Sequence, residues 1–230
     1  IMATNPGSIE DYMGANKVKN PGIPVIAIPA TAGTGSEVTI FTVITNTKTD
    51  VKMLIASPHL MPKLAILDPL LTLSMPKGLT AATGLDALTH AIEAYVSKKA
   101  QPMTDVFALS AIRLLVNNLP KAFSNPSDID AREKNLFGAY QAGLAFCNAS
   151  VALVHGMSRP IGAYFHVAHG VSNAVLLGPV MEFSLSGNPK RYAEIAAATG
   201  ENVAGLSEMD AAKAAAKAVK VLISYLQVPR

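Results

Sequence analysis

The 230-residue chain has a single cysteine, no tryptophan and few charged side chains. With Cys147 alone, an intramolecular disulfide is impossible. The opening Ile1–Pro6 has no basic flank followed by an apolar stretch, so no secretory signal is expected and a reducing, cytoplasmic setting is the plain inference. Charged residues make up 15% of the chain and the net charge is +3, with the basic residues scattered rather than clustered. That charge, with 6% aromatic residues, gives neither an electrostatic footprint nor a stacking platform for nucleic acid. No uninterrupted apolar run approaches the ~20 residues a membrane span needs. What the chain does have is a 50% hydrophobic content, largely Ala, Val, Leu and Ile in periodic segments. That is enough to bury a sizeable core in one large domain or two small ones.

The periodicity changes along the chain. Pro24–Pro29 is a short apolar run bounded by prolines and reads as a buried strand. Residues 38–45 are β-branched and alternating, 46–50 read as a turn, and 51–56 pair back as the second arm of a hairpin that carries Lys52. Leu64–Asp68 reads as another buried strand, closed by Pro69. After Met75-Pro76 the period becomes helical. One or two helices are expected over 77–97. Another opens at Pro102, with Val106, Leu109, Ile112, Leu115 and Leu119 on one face, and is expected to end at Pro120. A third covers 129–150, and Gly156, Pro160, Gly162 and Gly170 are expected to break the pattern that follows. Two more helices are expected near 189–199 and 208–226, the last opened by Ser207 and Asp210 in a capping box. An α/β segment over 1–75 followed by an all-helical domain over 76–230 is the expected organisation.

The chemistry concentrates in two places. Asp86 and His90 are four apart, so on a helix they share a face and can point at one metal. Alone, the pair is equally a surface acid and a histidine with a local hydrogen bond. His155 and His169 each stand beside a glycine, and the Pro160 and Gly162 between them allow the chain to turn. Each by itself is more ordinarily a satisfied buried imidazole. One carboxylate and three imidazoles in a chain with only five histidines make a divalent first-row metal site the sharper reading. Thr31-Ala32-Gly33-Thr34-Gly35-Ser36-Glu37 follows a strand and offers glycines for close backbone approach and short hydroxyl donors. Cys147 lies on an apolar helix, where a small buried hydrophobe is the default. Ser158 has no His–Asp pair at a convincing spacing, which argues against a hydrolase triad.

Four segments together resemble the iron-containing (group III) alcohol dehydrogenases: residues 28–37, 84–95, Val154-His155-Gly156-Met157, and His169-Gly170-Val171-Ser172-Asn173-Ala174. The resemblance runs through most of the chain and fades after about residue 185. It implies a partial Rossmann-like nucleotide domain followed by a helical metal-binding domain. It implies Fe²⁺, or Zn²⁺ as in some relatives, held by Asp86, His90, His155 and His169. It further implies NAD or NADP beside Thr31 and Thr34, with Thr39, Lys52 and, more weakly, Leu71 as further contacts. The activity implied is hydride transfer between a primary or secondary alcohol and the nicotinamide, the metal acting as a Lewis acid on the alcohol or carbonyl oxygen. The expected partner is a small alcohol or aldehyde; nucleic acid and membrane are not expected, and self-association stays open.

Three departures from the family pattern stand out. The Gly-Gly-Gly-Ser turn that holds the pyrophosphate is absent, and the usual helical C-terminus is expected to be cut short, so the chain reads as a fragment that keeps the metal site and loses strong nucleotide binding. Arg159 replaces a histidine of many relatives that is thought to relay the alcohol proton. Arginine stays protonated and cannot be a base near neutral pH; it either steers a carboxylate or phosphate on the substrate or is structural. Ala168 replaces a proline before the last ligand. His166 reads as a pocket or surface residue rather than a relay. The competing readings are a glycerol dehydrogenase, a maleylacetate reductase or a sugar-phosphate cyclase of the same superfamily. From a different class, a non-catalytic metal-stabilised helical module also competes.

Overall fold

The computed structural model describes residues 1–228. Two small sheets come first. Strands β1 (Gly14–Ala15), β3 (Phe41–Asn46) and β4 (Val51–Ala56) form one, in the order β1-β4-β3. The β3–β4 hairpin has the expected turn and places Thr45 opposite Lys52. Its first arm starts at Phe41 rather than Val38, because Ser36–Val38 coil into a 3₁₀ turn after Gly35, whose φ of 61° sets the chain in the left-handed region. Strands β2 (Ile26–Ala27) and β5 (Leu64–Ala65) pair in parallel as a separate two-stranded ribbon. Both were expected to be buried, yet Ile26 is 60% and Leu64 51% exposed. Apolar composition reports what a strand can bury; this ribbon is only two strands wide, and it leaves Ile28 and Ile66 exposed as well.

Seven α-helices follow among the described residues: α1 (Lys77–Val96), α2 (Pro102–Ser124), α3 (Ile129–Ala149), α4 (Leu153–Tyr164), α5 (His169–Ser184), α6 (Pro189–Ala198) and α7 (Glu208–Tyr225). The core is theirs. Helix α1 is its axis, packed by α2, α3 and α5, and 15 of its 20 residues are buried. An apolar helix buried on all sides is the place where any polar residue must find a partner. Leu85, Leu88 and Ile92 fill the spaces between its neighbours, with Ile112, Leu115 and Leu119 of α2 against them.

The proline and glycine readings need correction. Helix α2 runs through Pro120 to Ser124 and is closed at Asn125, whose N–H reaches the Lys121 carbonyl at 2.8 Å. Proline removes one hydrogen bond, and the buried Leu119, Ala122 and Phe123 hold the last turn in place. At the other end, Val106 faces solvent, so the buried stripe of α2 is narrower than its apolar spacing suggested. Likewise Gly156, Pro160 and Gly162 lie inside one continuous α4. The break falls later, at 165–168, where His166 takes a φ of 54°. Helix α5 then starts at His169 itself. The Ser207 cap is as expected, its hydroxyl oxygen accepting from the Asp210 N–H at 3.1 Å. Among the described residues no single helix is long and apolar enough to cross a membrane.

Candidate metal centre and its cavity

Asp86 and His90 sit one turn apart on the buried face of α1, and His155 enters from the first turn of α4. One ligand atom from each of these three lies within 4.8 Å of the others, all three being buried. His169, at the first position of α5, completes the group from its solvent edge: its Nε2 is 3.6 Å from Asp86 Oδ1, and its ring centroid is 5.2 Å from that of His155. The structure thus brings together the four side chains that the resemblance named.

Close packing at small residues sets these positions. A Cβ on Gly170 would come within 2.5 Å of the Ala82 carbonyl oxygen, so only glycine lets α5 begin against α1. The His90 ring is sandwiched between Phe146 of α3, at 4.2 Å between centroids, and His155, at 4.5 Å.

Two residues in the centre were not anticipated as site residues. Glu93, one turn beyond His90 on α1, is 2% exposed. One of its oxygens accepts from the Val154 N–H at 2.5 Å, and the other from His155 Nδ1 at 2.6 Å and the His155 N–H at 3.3 Å. The carboxylate therefore caps the start of α4 and fixes the proton of His155 on Nδ1, leaving the Nε2 lone pair toward the centre. Asn173, one turn after His169, aims its amide nitrogen at three ligand atoms at once: Asp86 Oδ1 at 2.6 Å, His155 Nε2 at 3.0 Å and His169 Nε2 at 3.2 Å. An amide has two hydrogens for these three acceptors. The signals for both were the helical spacings from Asp86 and His169, which common residue types made easy to pass over.

The donor set fits a divalent metal. Three lone-pair atoms converge on the Asn173 amide nitrogen, and His90 Nδ1 and Asn173 Oδ1 are buried without a partner. Burial pushes the His90 imidazole down to about 4, with Asp86 opposing and His155 and His169 adding to the shift. His169 is also held below the ordinary histidine range, chiefly by burial, with the charges of Lys52 and Arg159 contributing. Both rings are neutral near pH 7 and present lone pairs, as metal ligation requires.

Beside His169 opens a cavity of about 320 Å³, walled by Thr45, Asp50 and Lys52 of the hairpin and by Gly162, Ala163 and His166. Arg159 and His166 are exposed. Leu71 is exposed in the 3₁₀ turn Pro69–Thr72, away from the cavity lining, and Thr39 is buried at the start of the hairpin. The Thr31–Glu37 loop is wedged between two helices. A Cβ on Gly33 would meet Thr83 of α1 at 2.7 Å, and one on Gly35 would meet Gly143 Cα of α3 at 2.8 Å. Thr83 precedes Asp86 by one turn, so the loop is anchored next to the metal-ligand helix. Thr34 is exposed there, its hydroxyl oxygen accepting from the Ser36 hydroxyl at 2.9 Å, and Thr31 is half-buried. Cys147 is half-buried, and burial raises its thiol above the ordinary value.

Residues 80–230 match the Fe-containing alcohol dehydrogenase family, C-terminal, and residues 1–69 match iron-containing alcohol dehydrogenase. The likeness therefore does not fade after residue 185. The chain is 47% identical over its whole length to a 1,3-propanediol dehydrogenase of Citrobacter freundii, covering 59% of that protein. It is 47% identical over 220 residues, 96% of the chain, to an NAD-dependent methanol dehydrogenase of Bacillus methanolicus, covering 58% of it. A crystal structure of a 1,3-propanediol oxidoreductase superposes with a TM-score of 0.97 at 46% identity, over 99% of this chain and 59% of the other. The chain thus spans about three-fifths of the length of these relatives, and it belongs to the iron-containing alcohol dehydrogenase family.

Proposed function

We propose that this chain is the metal-bearing part of an oxidoreductase that moves a hydride between a primary or secondary alcohol and NAD(P). The observation that carries this reading is the convergence of Asp86, His90 and His155, with His169 at 3.6 Å from Asp86, beside an open cavity. Asp86, His90, His155 and His169 would hold Fe²⁺ or Zn²⁺. When bound, such an ion supplies Lewis acidity that favours the deprotonated alcohol and polarises the aldehyde carbonyl.

The chain's own groups do the rest. Asp86 brings negative charge into a buried site and two neutral imidazoles add none, so the loaded centre keeps net positive charge for a developing oxyanion. Glu93 keeps His155 in the tautomer that ligates. The Thr31–Glu37 loop offers hydroxyls and close backbone for the nicotinamide and its adjoining phosphate, and Lys52, at the cavity wall, a cation for the same cofactor. Thr39 and Leu71 are the further cofactor contacts in this reading. His166, exposed at the cavity rim, is a pocket residue rather than a relay in this reading. On this reading residues 1–75 are part of a dinucleotide-binding domain and 76–230 the helical metal domain. The names borne by the relatives favour a short alcohol and NAD.

Metal analysis and NADH formation from 1,3-propanediol at alkaline pH test the proposal in the full-length protein. His155→Ala and Asp86→Asn are expected to lose bound metal and activity together. Full activity and metal content in His155→Ala would sink the reading. Metal binding without any NADH-dependent fluorescence change would favour the non-catalytic module instead.

A further inference from the structure

The start of α3 carries a charge into the interior that neither the ligand set nor the cavity uses. Arg132 is 2% exposed. Among the described residues its guanidinium makes no ion pair. Its donors reach three neutral oxygens: Nη1 donates to Thr80 Oγ1 at 2.8 Å, Nε to the Pro126 carbonyl at 3.0 Å and Nη2 to the Met75 carbonyl at 3.5 Å. Burial holds its basicity below the ordinary arginine range. One turn along α3, Asn135 is 3% exposed, and neither polar atom of its amide has a partner. A buried cation without a counter-ion is costly, and apolar side chains of similar volume often fill such a place with no loss of stability. Stability alone therefore does not account for the guanidinium.

What it fixes is a spacing. Thr80 lies in the first turn of α1, three residues before Thr83, and Arg132 lies in the first turn of α3. At the far ends of the same helices, the hydroxyl of Ser97, the C-cap of α1, donates to the carbonyl of Ala149, the last residue of α3. Side chains thus pin α1 to α3 at both ends. The Thr31–Glu37 loop is seated in the gap between them. A Cβ on Gly33 would fall 2.7 Å from Thr83 of α1, and one on Gly35 would fall 2.8 Å from Gly143 of α3. A loop held that closely on two sides takes its position from the gap, and α1 is also the helix that carries Asp86 and His90. We propose that Arg132 is a positioning residue: by fastening α3 to Thr80 and Met75 at the start of α1, it sets the stance of the Thr31–Glu37 loop against the metal-ligand helix and so aligns the nicotinamide with the reacting alcohol. The inference rests on the dehydrogenase reading above, in which that loop takes the nicotinamide. A planar fork with donors in fixed directions suits the task, because it fixes orientation as well as distance.

In the full-length protein, Arg132→Met replaces the fork with an apolar chain, and Thr80→Val removes one acceptor while keeping the shape. Bound metal, NADH affinity by fluorescence titration, amide exchange over residues 31–37, and the Michaelis constants for NAD and 1,3-propanediol are compared with wild type. Both variants are expected to keep their metal and to exchange faster over 31–37. NADH affinity is expected to fall about tenfold in Arg132→Met, the scale of one lost hydrogen bond to a charged group, and less in Thr80→Val. KM for NAD should rise to match while KM for the diol holds. Unchanged NADH affinity and unchanged exchange over 31–37 in the variants overturn the proposal, whatever happens to Tm, since a residue that only ties the core would move Tm alone. An equal rise in both Michaelis constants overturns it as well. Should Arg132→Met fail to fold, Thr80→Val decides by the same readouts. Should wild type form no NADH, the dehydrogenase reading falls, and exchange over 31–37 in the variants still decides whether Arg132 seats the loop.

Discussion

Glu93 illustrates how much one carboxylate can organise. Its two oxygens meet three N–H groups, two of them backbone donors at the start of α4 and one on the His155 ring. A glutamine in its place keeps the shape but turns one oxygen into a donor facing donors. Glu93→Gln is expected to weaken metal affinity by about 10–100-fold, read by competition against a chromogenic chelator, with the helical circular dichroism retained. Unchanged affinity would mean that the carboxylate serves only as a helix cap. The sequence carried Asp86 and His90 openly, because an i, i+4 pair on a helix has one geometric consequence. His155 and His169 were harder. Fourteen residues of separation says nothing until the turn between them is known, and only the family likeness joined them to the first pair. Glu93 and Asn173 went unassigned for a different reason. Each acts through another side chain, and nothing in a residue's own type reveals what it will touch.

At the scale of elements, helix periodicity was a sound guide to where helices form and a poor one to where they stop. Pro120 and Pro160 sit inside α2 and α4, since a lost hydrogen bond at one position is offset by the apolar contacts of the turns around it. Strand burial was misjudged because it depends on a covering layer that the strand itself does not encode. Between helices, polar ties add to the apolar core. Tyr95 of α1 donates its hydroxyl to Glu194 of α6, and the Arg191 guanidinium lies 4.3 Å over the Tyr95 ring while pairing with Asp105 of α2 at 2.8 Å. Burial first, then the bond to Glu194, pushes the Tyr95 phenol up from 10.0 to about 12. The folded state thus holds this proton more tightly than the unfolded chain. The contribution is fully present below pH 10 and is lost as pH rises toward 12. Replacing the residue, Tyr95→Phe, should flatten the fall in stability between those two values, measured by urea unfolding at a series of alkaline pH values. An identical slope in the variant would show that the hydroxyl does not link α1 to α6.

For the whole molecule, the ligand arrangement makes the metal a structural staple as well as a chemical one. Asp86 and His90 belong to the central helix, whereas His155 and His169 open two helices joined by a bend in which His166 takes a positive φ. Three ligand acceptors converge on the Asn173 amide nitrogen, so a cation held among them would tie α1, α4 and α5 together. Binding to the folded chain alone stabilises it by mass action, about 2.7 kcal/mol at a hundredfold excess over Kd. For a chain of this length about 1 kcal/mol shifts Tm by roughly 2–4 °C, so chelation should lower Tm by about 5–10 °C. The loss should be reversible on adding Fe²⁺ or Zn²⁺ under anaerobic conditions, and it should be absent in Asp86→Asn, which cannot hold the ion. Hydrogen exchange adds a spatial test, because the gain in protection should concentrate in the first turns of α4 and α5, which α1 alone does not secure. A metal-induced rise in Tm of the same size in Asp86→Asn would place the stabilising cation elsewhere. It would also remove the ground for treating the three helices as one metal-clamped unit.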